Sequence, residues 1–138
     1  MELKLGEEYN RRELQSALGE GSRMGGIAVM KQNKQILIFS SEKGEAHGYQ
    51  DGWDEAKKYF YYTGAGQEGD QDIESPRHNG HILHHQEYEV SVRLMIETRS
   101  GHHRYEAELA LVDYQYFDTH DKNGKNRKAV QFIFENIA

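Results

Sequence analysis

The 138-residue sequence predicts an α+β fold, a curved, mostly antiparallel, barrel-like sheet carrying one or two short helices. Roughly six or seven segments have the alternation or β-branched content of strands. Only two stretches carry helix signals, and turn-forming residues separate most of the rest. The length fits one domain over residues 1–138, with no repeat, low-complexity segment or linker.

The elements follow in order. Residues 9–18 predict a short helix with Asn10 as N-cap, Leu14, Ala17 and Leu18 as its apolar face, and Gly19 as the stop. A glycine-rich loop spans 19–26. Residues 27–30 and 35–40 read as strands of a hairpin joined by the polar turn 31–34. Residues 41–48 form a loop, and Tyr59 to Thr63 a strand. A polar loop holding the only proline, Pro76, follows Gly64, and 79–85 predict one or two helical turns. From 87 to 98, Tyr88, Val90, Val92, Leu94 and Ile96 alternate as in a long half-buried strand. A turn at 100–103 leads to a strand at 105–116 with Tyr105, Ala107, Leu109 and Leu111 on one face. Residues 121–126 have turn composition, and 129–134 form the closing strand.

Composition narrows the chemistry. Zero cysteines exclude a disulfide framework, a thiolate metal site and a thiol nucleophile. No apolar run approaches the ~18 residues of a membrane span, and the charged N-terminus lacks the apolar core of a signal peptide. A cytoplasmic protein without a membrane partner is the expectation. The net charge of −6 is segregated: Arg11, Arg12 and Arg23 lie near the start, and Lys122, Lys125, Arg127 and Lys128 lie close together. Acidic residues gather at 42–55 and 68–74. Local patches, more than the sum, set the field a ligand meets.

Catalytic signatures are wanting. His78, His81 and His85 have helical spacing, but no HExxH pattern accompanies them, so neither a metal nor another cofactor is expected. Gly64-Ala-Gly-Gln-Glu-Gly69 fits GxGxxG as a string, yet no apolar helix follows it, as a dinucleotide fold requires. Neither a Walker loop nor GxSxG occurs. The chain is expected not to be an enzyme.

Residues 47–70 are the densest in chemistry. Tyr49, Trp53, Tyr59, Phe60, Tyr61 and Tyr62 lie among acidic residues and ahead of Gly64, Gly66 and Gly69. Aromatic faces beside a carboxylate on a glycine-shaped backbone suit a flat, hydrogen-bonding ligand such as a nucleobase. The same residues also read as an aromatic strand packing into the core.

Here the sequence resembles the SRA (SET and RING associated, or YDG) domains, which have an SRA/PUA-like fold and read modified cytosine in DNA. The resemblance rests on Gly48-Tyr-Gln-Asp51, Tyr59-Phe-Tyr-Tyr-Thr-Gly-Ala-Gly66, Gly69-Asp-Gln71 and Asn79. Arg104-Tyr-Glu-Ala107 stands where the family has Arg-Tyr-Asp-Gly. The bacterial branch, the SRA-like domain of McrA-type modification-dependent HNH endonucleases, is nearer still. It shares the order of Gly6-Glu-Glu-Tyr-Asn-Arg-Arg-Glu-Leu14, Gly25-Gly-Ile27 and the Tyr-Thr-Gly-x-Gly-Gln-x-Gly-Asp run.

The resemblance implies base flipping of 5-methylcytosine or another C5-modified cytosine in double-stranded DNA. It also implies target recognition for modification-dependent restriction, alongside an HNH nuclease domain or subunit of a bacterium or phage. By position Tyr49 and Tyr62 would stack on the base, and Asp51 would accept from the exocyclic amine. Thr63, Gly64 and Ala65 would line the pocket. The Tyr49–Tyr62 spacing is one residue longer than in the eukaryotic pattern, so Asp54 competes with Asp51, and Trp53 offers another stacking surface. No long basic finger lies between Asp70 and Asn79. Arg77, Lys125, Arg127 and Lys128 are the candidate phosphate contacts. The rival expectations are a module for another modified or single-stranded nucleic acid, or a protein-interaction module with a vestigial pocket.

Overall fold

The computed structural model describes residues 2–19, 25–41 and 51–137. The predicted loops at 19–26 and 41–48 lie largely outside the described residues, and Arg23 and Tyr49 lie wholly outside them. The elements are β1 (Glu8–Asn10), α1 (Arg11–Leu18), β2 (Ile27–Met30), β3 (Gln35–Ser41), β4 (Gly52–Trp53), β5 (Tyr59–Thr63), α2 (Asn79–Leu83), β6 (Ser91–Arg99), β7 (His102–His120) and β8 (Asn126–Asn136). One sheet runs in the order β2-β3-β6-β7-β8-β5-β4, with β1 paired to β7. Every pairing is antiparallel except β3 with β6. The expected curved, mostly antiparallel α+β fold is what the chain forms, as an open, curled, mixed sheet.

The curl follows from two cores. Ile27, Ile36, Ile38, Leu94 and Ile96 from one end of the sheet meet Phe60, Tyr62, Phe132 and Phe134 from the other in the larger core. On the opposite face Ala28, Met30, Leu37, Phe39, Met95 and Tyr105 pack with Leu3 and Leu14. β2, β3 and β6 are therefore buried on both faces, which explains why 27–30 and 36–39 are nearly unbroken apolar runs. Tyr62 ties the ends together, its hydroxyl lying 2.9 Å from the Gly26 carbonyl and 3.2 Å from that of Phe39.

α1 starts and stops where its sequence directs. The Asn10 side chain accepts from the Glu13 amide at 3.1 Å. Gly19 is left-handed, φ 74°, and its amide donates to Gln15. The buried face differs from the expected one: Leu14 and Gln15 are buried, Leu18 is partly so, and Ala17 is exposed. The helix settles on a polar contact, since Gln15 accepts from Arg11 Nε at 2.8 Å while the Arg11 guanidinium lies 3.8 Å over the Phe39 ring.

Three strands depart from their expected limits. One of them is β8, which spans Asn126–Asn136 where 129–134 was expected, because it pairs with β7 as far as His120. β6 begins at Ser91, four residues late, because the Tyr88 amide turns back to His84 and Glu89 is left-handed, φ 58°. Tyr88 is left exposed. β7 begins at His102, so the turn at 100–103 is shorter than expected, and it runs on to His120. Its residues 105–111 do not share one face. Met95 faces Tyr105 while Leu94 faces Ala107, so Glu106 is an extra residue in a bulge. Tyr105 goes to the second core, Ala107 and Leu109 to the first.

Candidate functional site

β4 and β5 present the aromatic stretch, and the two candidate carboxylates there do different things. Asp54 Oδ1 accepts from the amides of Lys58 (2.8 Å) and Tyr59 (3.2 Å), closing its own hairpin. Asp51 reaches to the far end of β5, where its Oδ1 accepts from the Thr63 amide at 2.8 Å. There Asp51 borders a cleft of about 270 Å³ shared with Arg11, Gly26, Ser40, Glu97 and His103.

Tyr62 lies beneath this cleft. Its ring is 4% exposed and runs beside that of Phe60 at 6.4 Å. Burial, reinforced by the Asp51 charge, pushes its phenol far above the usual range, so the hydroxyl keeps its proton and donates to the two carbonyls. A Cβ on Gly26 would collide with that hydroxyl, so glycine is required for this close approach. On the other wall His103 meets Phe39 edge-on at 4.8 Å, and its buried Nδ1 has no hydrogen-bond partner among the described residues. Burial first, then the nearby Arg11, lowers its pKa and favours the neutral ring.

Trp53 is half-buried, edge-on to Phe60 at 5.2 Å. Its indole N–H donates to Glu106 Oε2 at 3.3 Å, and Arg104 Nε donates to Glu106 Oε1 at 3.1 Å. The bulged Arg104-Tyr-Glu-Ala quartet thereby meets the β4–β5 hairpin. Glu106 and Arg104 were absent from the site expected from sequence, although the resemblance marks their motif.

Thr63, Gly64 and Ala65 are held by a side-chain clamp. The fully buried Asn79 accepts from the Ala65 amide (2.8 Å) and donates to the carbonyls of Ala65 and Asp72, both at 3.0 Å. Gln71 donates to the carbonyls of Gly64 (2.7 Å) and Gly66 (3.1 Å) and accepts from the Val130 amide at 2.8 Å. A Cβ on Gly64 would come 2.9 Å from Asn79 Oδ1, which explains that glycine. Sequence reasoning saw Gln71 and Asn79 only as matches to a pattern; in space they fix the loop's backbone.

The basic candidates separate. Arg127 Nη1 donates to the Gly66 carbonyl at 2.6 Å, bracing the glycine loop. Lys128 pairs with Asp118 at 2.7 Å, and Lys125 is exposed in the β7–β8 turn, where its amide donates to Asp121. Arg77 opens on a different cleft, with Lys31, His78 and His81. His85 turns inward: the Leu111 amide donates to its Nε2 at 3.1 Å, so Nδ1–H donates to the Val90 carbonyl at 2.8 Å. Among the described residues no group of three or more histidines or carboxylates is placed to hold a metal, and no helix is long and apolar enough to cross a membrane.

Of the described residues expected to form the pocket, Asp51 lines the cleft it shares with Arg11 and His103, whereas Trp53, Asp54, Tyr62, Thr63, Gly64 and Ala65 do not. The family model of the ScoMcrA-like SRA domain matches residues 5–138, and the chain belongs to that family. Solved structures agree on the fold. The chain is similar to the type IV phosphorothioation-dependent restriction endonuclease ScoMcrA, with TM-score 0.76 and 22% identity over 99% of this chain and 28% of that one. It is similar to the DNA recognition domain of the cytosine modification-dependent restriction endonuclease LpnPI, with TM-score 0.71 and 16% identity over 99% and 74%. The SUVH5 SRA domain in complex with hemi-methylated CG DNA gives TM-score 0.69 and 20% identity over 99% and 90%. This chain thus spans little more than a quarter of ScoMcrA. No curated protein matches. SRA domains of this group bind modified DNA.

Proposed function

We propose that this domain reads a C5-modified cytosine in double-stranded DNA, taking the base out of the duplex into the cleft beside Asp51. The observation that carries this reading is the seat of Asp51. One carboxylate oxygen is fixed by the Thr63 amide at the cleft's edge, at the end of a strand whose backbone Asn79 and Gln71 clamp. A carboxylate held this way is a preorganised acceptor for the exocyclic amine of cytosine. We take Tyr62, which is buried behind the Gly26 and Phe39 lining, as the aromatic floor that a seated base would uncover, with Trp53 as the adjacent indole and Thr63, Gly64 and Ala65 as the backbone wall. Tyr49 is proposed as the opposing ring. Extrusion costs a few kcal/mol, and stacking on aromatic rings returns about 1–3 kcal/mol per base. The domain is a reader with no catalytic role, and in a bacterial or phage restriction system an HNH nuclease would do the cutting.

The test is equilibrium binding to matched duplexes bearing cytosine, 5-methylcytosine or 5-hydroxymethylcytosine, with a phosphorothioated duplex as control. Wild type should prefer a C5-modified duplex, and D51A, if it folds normally, should lose about tenfold on that duplex while keeping its affinity for unmodified DNA. Equal binding to all the duplexes, untouched by D51A, would refute cytosine reading. Preference for the phosphorothioated duplex alone would assign recognition to the backbone.

A further inference from the structure

The cleft bounded by Lys31, Arg77, His78 and His81 is a second polar feature, separate from the Asp51 site, with a volume of about 410 Å³. Its remaining walls are Val29 and Pro76, so among the described residues no acidic side chain lines it, in a chain of net charge −6. The four side chains make no hydrogen bond or ion pair with any described residue. By contrast Arg93, Arg99, Arg104, Lys122 and Lys128 each pair with a carboxylate. Burial first, then Arg77 and His81, lowers the pKa of His78. Lys31 and Arg77 are thus two cations on one cleft with no counter-charge among the described residues, and an anion joining them would be favourable.

The walls are rigid. The Gly80 amide donates to the Ser75 carbonyl at 2.7 Å, and a Cβ on Gly80 would come 2.7 Å from that oxygen. Asn79, between His78 and Gly80, is locked to both Ala65 and Asp72. The segment carrying Arg77, His78 and His81 is therefore bolted to the loop that forms the base site. Lys31 follows β2, whose other end adjoins Gly26 at the Asp51 cleft. At ~3.3 Å per strand residue the two clefts are roughly 16 Å apart along β2. With β2 laid along the duplex axis, that corresponds to about five base-pair steps.

We propose that this cleft binds phosphate oxyanions of the DNA backbone, seating the duplex several nucleotides from the extruded base. This rests on the DNA-reading function above. The cleft supplies affinity and register, the Asp51 site selectivity. Arg127 and Lys128 engage Gly66 and Asp118, contacts of a kind that Lys31 and Arg77 lack among the described residues.

The experiment compares wild type, K31Q/R77Q and H78Q/H81Q on modified and unmodified duplexes across a salt series, with folding checked by circular dichroism. K31Q/R77Q should weaken binding to every duplex by the same factor, roughly an order of magnitude, and flatten the slope of log K against log salt by about 2. The ratio of modified to unmodified affinity should stay fixed. H78Q/H81Q should show a smaller loss. Unchanged affinity and slope in K31Q/R77Q would overturn the proposal, as would a loss confined to the modified duplex. Inorganic phosphate is a separate arm. If millimolar phosphate saturably shifts the His78 and His81 resonances while K31Q/R77Q binds DNA like wild type, the cleft serves free phosphate and the DNA assignment fails. If wild type shows no preference for modified DNA and K31Q/R77Q still loses affinity uniformly, the base reading fails and the cleft assignment stands.

Discussion

Asn79 shows how much a single side chain can decide. Its amide closes three hydrogen bonds from a fully buried position, two of them to Ala65. Asn79→Ala leaves those backbone groups unpaired in the core, and the expected loss is about 2–4 kcal/mol of unfolding free energy in a denaturant titration. At the surface His84 lies between Glu74 at 2.8 Å and Glu87 at 3.2 Å. The hydrogen bond to Glu74, with help from Glu87, raises its pKa. An NMR titration should place its midpoint above that of a free histidine, and Glu74→Gln should bring it back down. Asp51 and Asp54 show what sequence can and cannot resolve at this scale. Both sit in the right loop, and only the folded hairpin reveals that Asp54 caps the 54–59 turn while Asp51 reaches Thr63.

At the scale of elements, legibility followed the locality of the forces. α1 carries its own start and stop in Asn10 and Gly19. The β2–β3 hairpin, β5 and α2 are likewise defined by neighbours in sequence. The start of β6 was not legible, because Ser91 begins the strand where Gln35 of β3 offers a parallel partner far away in the chain. The bulge at Glu106 was equally hidden, since the alternation of Tyr105, Ala107 and Leu109 looks like one face until the pairing with β6 is known. The short β1 and β4 carry too few residues to show a period. A pH effect belongs here too. His85 braces the turn before β6 against β7, and burial lowers its pKa. His103 is shifted the same way. Since the unfolded chain binds these protons more readily, the stability they contribute is complete above about pH 6.5 and is lost as pH falls below it. Thermal unfolding between pH 7.5 and 5.5 should show the decline, with a smaller one in His85→Gln.

The whole molecule joins two cores into one curled sheet so that residues apart in sequence meet. Asp51 and Thr63, Trp53 and Glu106, and Ala65 and Asn79 are each joined by a hydrogen bond. The family resemblance was legible in the chain's motifs, because they follow one another in order. Their division of labour was not. Asp51 borders a cleft, whereas Gln71 and Asn79 clamp the 64–66 backbone. Tyr62, placed by resemblance as a stacking ring, also pins β5 to β2 and β3 through its hydroxyl. Tyr62→Phe keeps the ring and removes that pin, so it should lower stability by about 1–2 kcal/mol while leaving the aromatic floor in place, which unfolding and binding assays together would separate.

On the proposed reading the modified base leaves the helix. The direct measurement is the fluorescence of 2-aminopurine placed beside a C5-modified cytosine in a duplex titrated with the protein. Extrusion of the neighbouring cytosine unstacks the probe, so its emission should rise to saturation with bound protein, rise much less on the unmodified duplex, and fail to rise with folded D51A. Saturated binding to the modified duplex with no change in emission would mean that the base stays stacked, and the account of the Asp51 cleft would be wrong.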